Sequence, residues 1–478
     1  MEYIIQGRKP ESLFRYFEEI SAIPRMPFHE EGIADYLVEF AKARDLEYYR
    51  DEWHNVLIKM PATRGQEHRA PLLLQGHVDM VCAKESTSDH DFLKDPLKLY
   101  IDGKFLRAKG TTLGADDGMA VATMLSLLDG AIEEHPAYEC LFTTAEEAGI
   151  VNAPKFDFSR ISARTLINMD AGNEKYPLCS CSGALRTRII LPYDTEPMTM
   201  CGLRVRISGL AGGHAGGNIH KGRANANKLI GRLIASLAPL GDVRIISLNS
   251  GSKESGIMRA AEAVLAVPSF EDACALLRMC ADAIKAILVP EDKDFSMEIE
   301  PAESDFMMSR EASVRAGVLF NTLPTGVFNM SSELSYLVEF SRNFDGITTT
   351  EDAITFSFST RSAKNQNLDA AQEELDTFAG MIGATADHFG KYSGWAYHPV
   401  SAARDAYLRA YKEITGNTAV AVGVHAGIEC GVICTAIPDM DAICIAPNVY
   451  ELHTPAEALD LDSYETFFRV LRRMIEIL

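Results

Sequence analysis

Five short segments of this chain carry side chains that can bind divalent metal ions or carry protons. Four are apolar runs that end in His, Asp or Glu, and the fifth is a turn with two acids before an apolar stretch. Zinc, cobalt and manganese accept mixed imidazole and carboxylate ligands, and one carboxylate can bridge two ions. Two ions held in this way share a hydroxide and polarise a carbonyl, so the pattern predicts a two-metal hydrolytic centre. The candidate ligands are His77, Asp116, Glu147, Asp170 and His453.

Residues 114–118 read Gly-Ala-Asp-Asp-Gly and precede an apolar stretch at residues 119–128. One Asp at this position is explained as a helix cap, because a carboxylate gains from the helix dipole. The second Asp needs another reason, and metal binding provides one. The flanking glycines allow a tight bend and a close approach to a ligand. We predict a helix over residues 119–128 with one apolar stripe.

Two further acids lie beside the candidate ligands. Asp79 follows His77 by two residues and can hydrogen-bond its imidazole, which would fix the tautomer. Of the adjacent Glu146 and Glu147, one can bind a metal while the other accepts a proton from water. Taken singly, each acid also fits a solvated surface or a turn cap, so the prediction depends on the joint pattern.

The composition limits the class of protein. A chain of 478 residues is too long for one compact core, so we expect two domains. A net charge of −21 argues against nucleic-acid binding, and no apolar segment approaches the length of a membrane span. The ten cysteines contain no Cys-x-x-Cys pair, which favours reduced thiols in a cytoplasmic protein.

The order of the predicted elements divides the chain into three parts. Strands alternate with helices in residues 1–183, which indicates an α/β domain with a mostly parallel sheet. Residues 184–393 change to strand–strand–helix units, which are typical of an α+β domain. The first pattern returns in residues 394–478. We therefore predict that the middle domain is inserted into the sheet domain. Within these domains, residues 84–107 are expected to be irregular and residues 368–386 to form a helix.

Four motifs resemble the M20 family of di-metal peptidases in order and spacing. They are residues 76–79 (Gly-His-Val-Asp), residues 114–118, residues 146–149 (Glu-Glu-Ala-Gly) and His453. The chain is closer still to the aminoacyl-histidine dipeptidase branch of that family, because three more segments match. These are residues 212–220, 223–228 and 425–431. The resemblance implies a phosphorylase/hydrolase-like catalytic domain with a mostly parallel sheet, and an inserted α+β lid.

The resemblance also implies a role for each ligand. One metal would be held by His77, Asp116 and Asp170, and the other by Asp116, Glu147 and His453, with Asp116 as the bridge. Asp79 would support His77, and Glu146 would be the general base. The chain departs from the branch at Asp117, where Asn is usual, which leaves open the effect of a second charge beside the bridge.

Four further residues are candidates for substrate contact. His214 matches the lid histidine that contacts substrate near the scissile carbonyl. The glycines around it would also suit a phosphate loop, but the Lys-Ser/Thr ending of such a loop is missing. Arg361 follows a predicted strand and can pair with a peptide carboxylate, although a surface role fits it equally well. His425 and Glu429 are expected to shape the substrate pocket.

These predictions combine into a metal-dependent dipeptidase. We expect hydrolysis of short peptides, chiefly Xaa-His dipeptides, by a metal-bridging hydroxide with Glu146 as general base. Two zinc ions are the expected cofactors, with cobalt or manganese as alternatives. A tripeptidase, a carboxypeptidase, an N-acyl amino-acid deacylase or a non-catalytic metal- or peptide-binding protein would also fit. The sequence leaves open whether the chain forms a homodimer.

Overall fold

The computed structural model describes residues 3–252 and 256–478. The chain divides into two compact units. The first unit combines Met1–Cys181 with Gly394–Leu478, and the second is Ser182–Ser393. The chain therefore leaves the first unit, builds the second one, and returns.

The first segment of the chain begins with two helices that bury one face each. Leu13, Phe14 and Phe17 line the buried face of the first helix. The elements are α1 (Glu11–Ser21), α2 (Glu31–Lys42), β1 (Glu47–Arg50), β2 (Val56–Met60), β3 (Leu72–His77), β4 (Leu99–Asp102), β5 (Phe105–Ala108), α3 (Ala115–Leu128), β6 (Tyr138–Thr143), β7 (Thr165–Asn168) and β8 (Leu178–Cys181).

Over its described residues, the inserted segment is built mainly of antiparallel strands and four α-helices. Its elements are β9 (Gly183–Pro192), β10 (Thr195–Pro197), β11 (Cys201–Ser208), β12 (Gly213–His214), α4 (Ala226–Ser236), β13 (Arg244–Asn249), β14 (Gly251–Ser252), β15 (Gly256–Ile257), β16 (Ala261–Val267), α5 (Phe270–Lys285), β17 (Ser296–Pro301), β18 (Phe306–Met308), α6 (Arg310–Thr322), β19 (Gly326–Met330), β20 (Val338–Thr349), β21 (Ala353–Ser362), α7 (Asn365–Met381) and β22 (Thr385–Tyr392).

The last segment completes the first unit. Its elements are α8 (Ala402–Thr415), β23 (Val422–Val424), α9 (Cys430–Ala436), β24 (Asp441–Cys444), β25 (Val449–Tyr450), β26 (Ala458–Asp460) and α10 (Leu461–Ile477). The side chain of Asp460 caps α10 by accepting the amides of Asp462 and Ser463. The apolar face of α10 joins the same hydrophobic core as α1 and α3.

The first unit is organised around a sheet of eight strands in the order β1-β2-β6-β3-β7-β24-β8-β23. The pairs β3–β6, β3–β7 and β7–β24 are parallel, so the carboxyl ends of these four central strands lie along one edge. The central strand β3 is buried along its whole length, which suits the three leucines with which it begins. Ligands bind at such an edge in open α/β sheets.

Strand β3 and helix α3 pack at very short range. A side chain on Gly76 would collide with Ala120 and with the carboxyl group of Asp117, so only glycine fits there. Gly114 before α3 has a φ of 66°, which favours glycine, and a side chain there would collide with Arg25. The predicted single stripe on α3 is wrong: polar Thr123 and the other residues between Asp117 and Leu128 are all buried. A helix at this depth is enclosed on every face.

The second unit contains two larger antiparallel sheets. One has the strand order β13-β16-β11-β17, and the other has the order β14-β20-β21-β9-β22, with β19 beside β20. Strand β11 alternates, burying Leu203, Val205 and Ile207. These residues share a core with helices α4 to α7. The predicted fold class, a mostly parallel sheet domain with an inserted α+β domain, is confirmed.

Three local predictions are wrong. Residues 84–107 contain strand β4 and most of β5, which form part of a small sheet. The helix predicted up to residue 386 ends at Met381, because Gly383 takes a φ of 66° and the chain turns into β22. Helix α6 is not predicted, because it buries mostly small residues such as Ala312 and Ala316, whose periodicity is weak.

Among the described residues, none of the helices combines the length and the apolarity that crossing a membrane requires.

Candidate metal centre

The carboxylate of Asp116 lies between two imidazoles. Its Oδ1 is 3.1 Å from Nε2 of His77, and its Oδ2 is 3.1 Å from Nε2 of His453. His453 Nε2 is also 3.2 Å from Oε1 of Glu147. A carboxylate with an imidazole nitrogen beside each oxygen could bridge two metal ions, because each imidazole could bind one of them.

The five candidate ligands form two overlapping groups. In the first group, His77, Asp116 and Asp170 each offer one ligand atom within 4.8 Å of the others. In the second group, Asp116, Glu147 and His453 do the same. Glu146 belongs to a third group of this kind, with His77 and Glu147. The structure therefore brings together all five residues that the sequence proposes as ligands, and the proposed base beside them.

The sheet edge explains why these residues meet. His77 is the last residue of β3, and Asp170 follows the end of the neighbouring strand β7 by two residues. Glu147 lies in the loop after β6, on the other side of β3. Asp116 lies in the first turn of α3, where the backbone is not yet helical, and the peptide bond from Asp116 to Asp117 is cis. His453 arrives from the loop after β25 with a φ of 64°.

Asp79 connects the ligand loops. One oxygen of its buried carboxylate accepts the amide of Glu146 and the other accepts the amide of Glu147, each at 3.1 Å. The Nδ1 atom of His77 lies 3.1 Å from the backbone oxygen of Asp79 and 3.5 Å from its carboxylate. Asp79 therefore holds the tautomer of His77 mainly through its carbonyl, and its carboxylate fixes the backbone that carries both glutamates.

Burial and the charges of neighbouring groups change the pKa values of the carboxyl groups in the centre. Burial, together with the charge of Asp116, raises the pKa of Asp170 well above its usual range. Burial also raises the pKa of Glu146, with the Glu429, Glu147 and Asp116 charges adding to the shift. Burial acts against ionisation of Asp116 too, but the hydrogen bonds from His453 and His77 lower its pKa.

The pKa values of both imidazoles are raised. Burial disfavours the charged form of His77, but the hydrogen bonds to Asp116 and Asp79 raise its pKa well above the usual value. Hydrogen bonds to Asp116 and Glu147 raise the pKa of His453 to about 10. Without a metal, protons on the imidazoles thus supply part of the positive charge that the carboxylates need.

The centre fits divalent cations. Asp116, Glu146, Glu147, Asp170 and His453 line a cavity of about 190 Å³. The buried Oε1 of Glu147 faces Nε2 of His453 at 3.2 Å. Such a concentration of buried acids is costly without compensating charge. Two imidazoles and several carboxylates suit zinc, cobalt or manganese.

Asp117 faces away from the cavity. Its Oδ2 accepts the backbone amide of His77 at 3.2 Å, and its Oδ1 has no hydrogen-bond partner among residues 3–252 and 256–478. Burial raises the pKa of Asp117 well above its usual range, which favours the neutral acid. The contacts to both imidazoles therefore belong to Asp116, and the neutral Asp117 occupies its buried position much as an Asn would.

Two buried charged residues that support the Asp116 turn were not anticipated from the sequence. Glu457 accepts backbone amides from residues 113–116, and Arg25 donates to the carbonyl oxygens of Val78, Asp79 and Gly114. Both are hidden in loops with no periodic pattern, where Glu and Arg are usually solvated. The spacing of Glu457, four residues after His453, is the only signal the sequence offers.

A second buried network lies under the sheet edge. Glu429 Oε2 accepts hydrogen bonds from Gln75 at 2.5 Å and from Thr143 at 2.6 Å. Gln75 in turn accepts from Asn168 at 2.7 Å. Burial raises the pKa of Glu429 to about 7. The described hydrogen bonds of Glu429 thus go to strands β3 and β6, and a role in shaping the pocket, for it and for the buried His425, stays a prediction.

The second unit carries the other two candidates. His214 Nδ1 accepts the backbone amides of Gly216 at 3.2 Å and Gly217 at 3.0 Å. Burial, with a contribution from the Arg361 charge, lowers the pKa of His214. A neutral imidazole whose Nδ1 accepts must carry its proton on Nε2, which makes Nε2 a hydrogen-bond donor. Arg361 is buried on β21 and donates to the hydroxyl of Tyr392 at 3.2 Å.

Three comparisons place the chain among known proteins. It is 33% identical over 475 residues to the cytosol non-specific dipeptidase of Escherichia coli (strain K12), which covers 98% of this chain and 97% of that protein. The crystal structure of aminoacylhistidine dipeptidase from Vibrio alginolyticus superposes with a TM-score of 0.91 at 32% identity, covering 98% of this chain and 97% of that one. Aminopeptidase PepT from Bacillus cereus ATCC 10987 shares the fold, with a TM-score of 0.56 at 17% identity over 98% and 99% of the two chains.

The profile of Peptidase family M20/M25/M40 matches residues 73–477, which include every candidate ligand. The resemblance inferred from the motifs is therefore confirmed. The chain belongs to the M20 family of peptidases and is a peptide hydrolase.

Proposed function

We propose that this chain is a metal-dependent dipeptidase that acts on short peptides, with Xaa-His dipeptides as the preferred class. The observation that supports it most directly is the carboxylate of Asp116, which lies 3.1 Å from an imidazole at each oxygen. The names of two relatives, a non-specific dipeptidase and an aminoacylhistidine dipeptidase, support the substrate class. The name of the first also supports a cytoplasmic location.

In this proposal, His77, Asp116 and Asp170 hold one divalent ion, and Asp116, Glu147 and His453 hold the other. Bound ions of this kind lower the pKa of water and polarise a peptide carbonyl. Zinc is the proposed metal, with cobalt and manganese as the alternatives that the ligand set accepts. Asp79 keeps His77 in one tautomer and holds the loop of Glu146 and Glu147 in register.

Glu146 is the proposed general base. Its carboxyl group lines the cavity together with Asp116 and Asp170, and its backbone is fixed by Asp79. In this position it accepts a proton from the attacking water and returns it to the leaving amine. Its neighbour Glu147 makes the contact with His453 instead, so the two adjacent glutamates have separate roles.

The second unit would contribute substrate recognition. We propose that the Nε2–H group of His214 donates a hydrogen bond to the oxyanion that develops on the scissile carbonyl. We propose that Arg361 pairs with the carboxylate of the peptide, because a guanidinium can bind a carboxylate through two hydrogen bonds. His425 and Glu429 are proposed to shape the pocket from the first unit.

A substrate panel combined with metal analysis tests this function. The panel contains Xaa-His dipeptides, other dipeptides, tripeptides, peptides for carboxypeptidase action and N-acyl amino acids. We expect cleavage of dipeptides, loss of activity after chelation, and recovery with Zn²⁺, Co²⁺ or Mn²⁺. Faster cleavage of tripeptides or N-acyl amino acids would show that the proposed substrate class is wrong. Activity that survives complete metal removal would contradict the two-metal proposal.

A further inference from the structure

We propose that Glu457 is a positioning residue of the metal centre, which fixes the turn that carries the bridging carboxylate of Asp116. This inference rests on the proposed function, because it takes Asp116 and His453 as metal ligands. Glu457 itself is buried and lies outside the ligand set, with its carboxylate directed at the backbone of residues 113–116.

The carboxylate of Glu457 collects four backbone amides. Oε2 accepts from Leu113 at 2.8 Å and from Gly114 at 3.0 Å, and Oε1 accepts from Ala115 at 2.8 Å and from Asp116 at 3.4 Å. These amides lie at the start of α3, where a helix has no internal acceptors for them. Glu457 therefore caps the start of α3, although it lies 341 residues from Asp116 in the sequence.

Arg25 holds the same turn from its carbonyl groups. Its Nη2 donates to the oxygen of Gly114 at 2.6 Å, while Nη1 donates to the oxygens of Val78 at 2.9 Å and Asp79 at 3.3 Å. The amide of Gly114 thus goes to Glu457 and its carbonyl to Arg25. Two buried residues of opposite charge therefore hydrogen-bond the same turn. Because Arg25 also binds the carbonyl groups of Val78 and Asp79, it fixes the turn relative to the loop after His77.

Glu457 also links the two sides of the proposed bridge. It follows His453 by four residues, in a turn closed by a 3.0 Å hydrogen bond from its own amide to the carbonyl of Thr454. The same short segment therefore supplies the imidazole 3.1 Å from Oδ2 of Asp116 and the carboxylate that holds the Asp116 backbone. If Glu457 releases the turn, the separation of Asp116 and His453 is no longer fixed.

A role in fold stability alone makes a different prediction from a positioning role. Any buried carboxylate that accepts backbone amides stabilises the fold, and its loss lowers the free energy of unfolding. Loss of a residue that positions metal ligands also weakens metal binding, because the binding ion must then order ligands that were held in place before. Loss of such supporting contacts typically weakens metal binding by about 10- to 100-fold.

The test compares Glu457→Gln with the wild-type enzyme. The amide of Gln turns one acceptor into a donor facing two backbone amides, so two of the four hydrogen bonds are lost at nearly constant volume. We expect the dissociation constant for Zn²⁺, measured by competition with a chelating dye, to rise about 10- to 100-fold. Excess Zn²⁺ should restore most of the turnover, because the catalytic groups are unchanged.

Glu139→Gln is the matched control. Glu139 is also a buried carboxylate that accepts backbone amides, from Ser162 at 2.9 Å and Ala163 at 3.0 Å, and it pairs with Lys59. It lies near the start of β6, at the opposite end from Glu147. We expect Glu139→Gln to lower the urea midpoint of the metal-free protein without changing the Zn²⁺ dissociation constant.

The outcomes separate the two proposals. Zn²⁺ binding by Glu457→Gln within about twofold of wild type, or equal weakening by Glu139→Gln, would overturn the positioning role alone. A wild-type protein that takes up no Zn²⁺ would overturn the proposed function and this inference with it. If Glu457→Gln does not fold, Glu457→Asp decides, because it keeps the charge but cannot span all four amides. Wild-type affinity in that variant would then overturn the inference.

Discussion

Asp117 accepts a hydrogen bond from the backbone amide of His77, with 3.2 Å between Oδ2 and the nitrogen. Asp116, one residue earlier, instead contacts the imidazoles of His77 and His453. The side chains of two adjacent acids thus serve opposite purposes. One faces the cavity as a proposed metal ligand, and the other is buried between β3 and α3, where Gly76 leaves room for it.

Asp117→Asn should therefore be a mild substitution. The amide oxygen can accept from His77 as the acid does, and the added NH2 group replaces an oxygen that has no hydrogen-bond partner among the described residues. We expect two metal ions per chain and a kcat within about twofold of wild type, since conservative changes that keep the hydrogen bonds cost little. Metal analysis and steady-state kinetics measure both quantities.

Asp116→Asn is the control at the neighbouring position. A neutral amide there removes the charge between the two imidazoles, so we expect metal content and turnover both to fall. If Asp116→Asn retained its metal and Asp117→Asn lost it, our proposal would have assigned the bridge to the wrong acid.

Glu146→Gln should separate metal binding from turnover. The amide cannot accept the proton of the attacking water, and loss of a general base lowers kcat by about 10²- to 10⁴-fold. The metal content should stay at the wild-type level, because the close contact to His453 is made by Glu147. Steady-state kinetics at saturating metal and metal analysis of the same sample test this prediction.

Glu147→Gln provides the contrasting control for that prediction. It should weaken binding of one ion, and excess metal should recover part of its activity. A Glu146→Gln enzyme that keeps wild-type turnover would remove Glu146 from the role of base, and equal metal loss in both variants would merge the two roles that we separate.

The sequence predicts that the candidate ligands meet, because they lie where pattern and chemistry coincide. His77 and Asp170 follow short apolar strands, and parallel neighbouring strands bring their ends together without knowledge of the tertiary structure. Asp116 is indicated by two acids in a turn that needs only one as a cap. His453 is harder to predict, because strand β24 of the large sheet ends at Cys444 and the imidazole comes only later, from the loop after the short strand β25.

The supporting residues could not be predicted in the same way. The contacts of Glu457 and Arg25 join segments that are far apart in sequence, and nothing local in either segment marks a buried charge. Strand β22 is not predicted for a related reason: its sequence is polar because it is an edge strand, which among the described residues pairs only with β9. In both cases the environment, not the local pattern, determines what the residues do.

Glu429 predicts a pH dependence of stability in the metal-free protein. Burial raises its pKa from 4.5 to about 7 in the folded state. Between these values the unfolded chain has lost a proton that the folded protein keeps, so the free energy of unfolding falls as the pH rises through this window. Above about pH 7 both states are ionised and the loss is complete, at about 3 kcal/mol.

Glu429→Gln should abolish this contribution, because the amide stays neutral at every pH and its oxygen can still accept from Gln75 and Thr143. We expect equal stability of variant and wild type near pH 4, and a more stable variant at pH 8. Urea unfolding in the presence of a chelator, at several pH values, measures the difference. Parallel pH profiles for the two proteins would contradict a neutral buried Glu429.

His214→Ala should lower kcat without releasing metal. The Nδ1 atom accepts the amides of Gly216 and Gly217, so the neutral imidazole presents its Nε2 proton to a substrate. Loss of one donor to a developing oxyanion typically costs about 10²- to 10³-fold in kcat. We expect a loss of this size with KM nearly unchanged, measured on an Xaa-His dipeptide at saturating Zn²⁺.

His388→Ala in the same unit is the control. His388 hydrogen-bonds Thr187 and Asp376, so its loss should affect stability only. If kcat fell equally in both variants, or if His214→Ala changed KM alone, the donor role of His214 would be lost, because only a group that acts on the transition state changes kcat selectively.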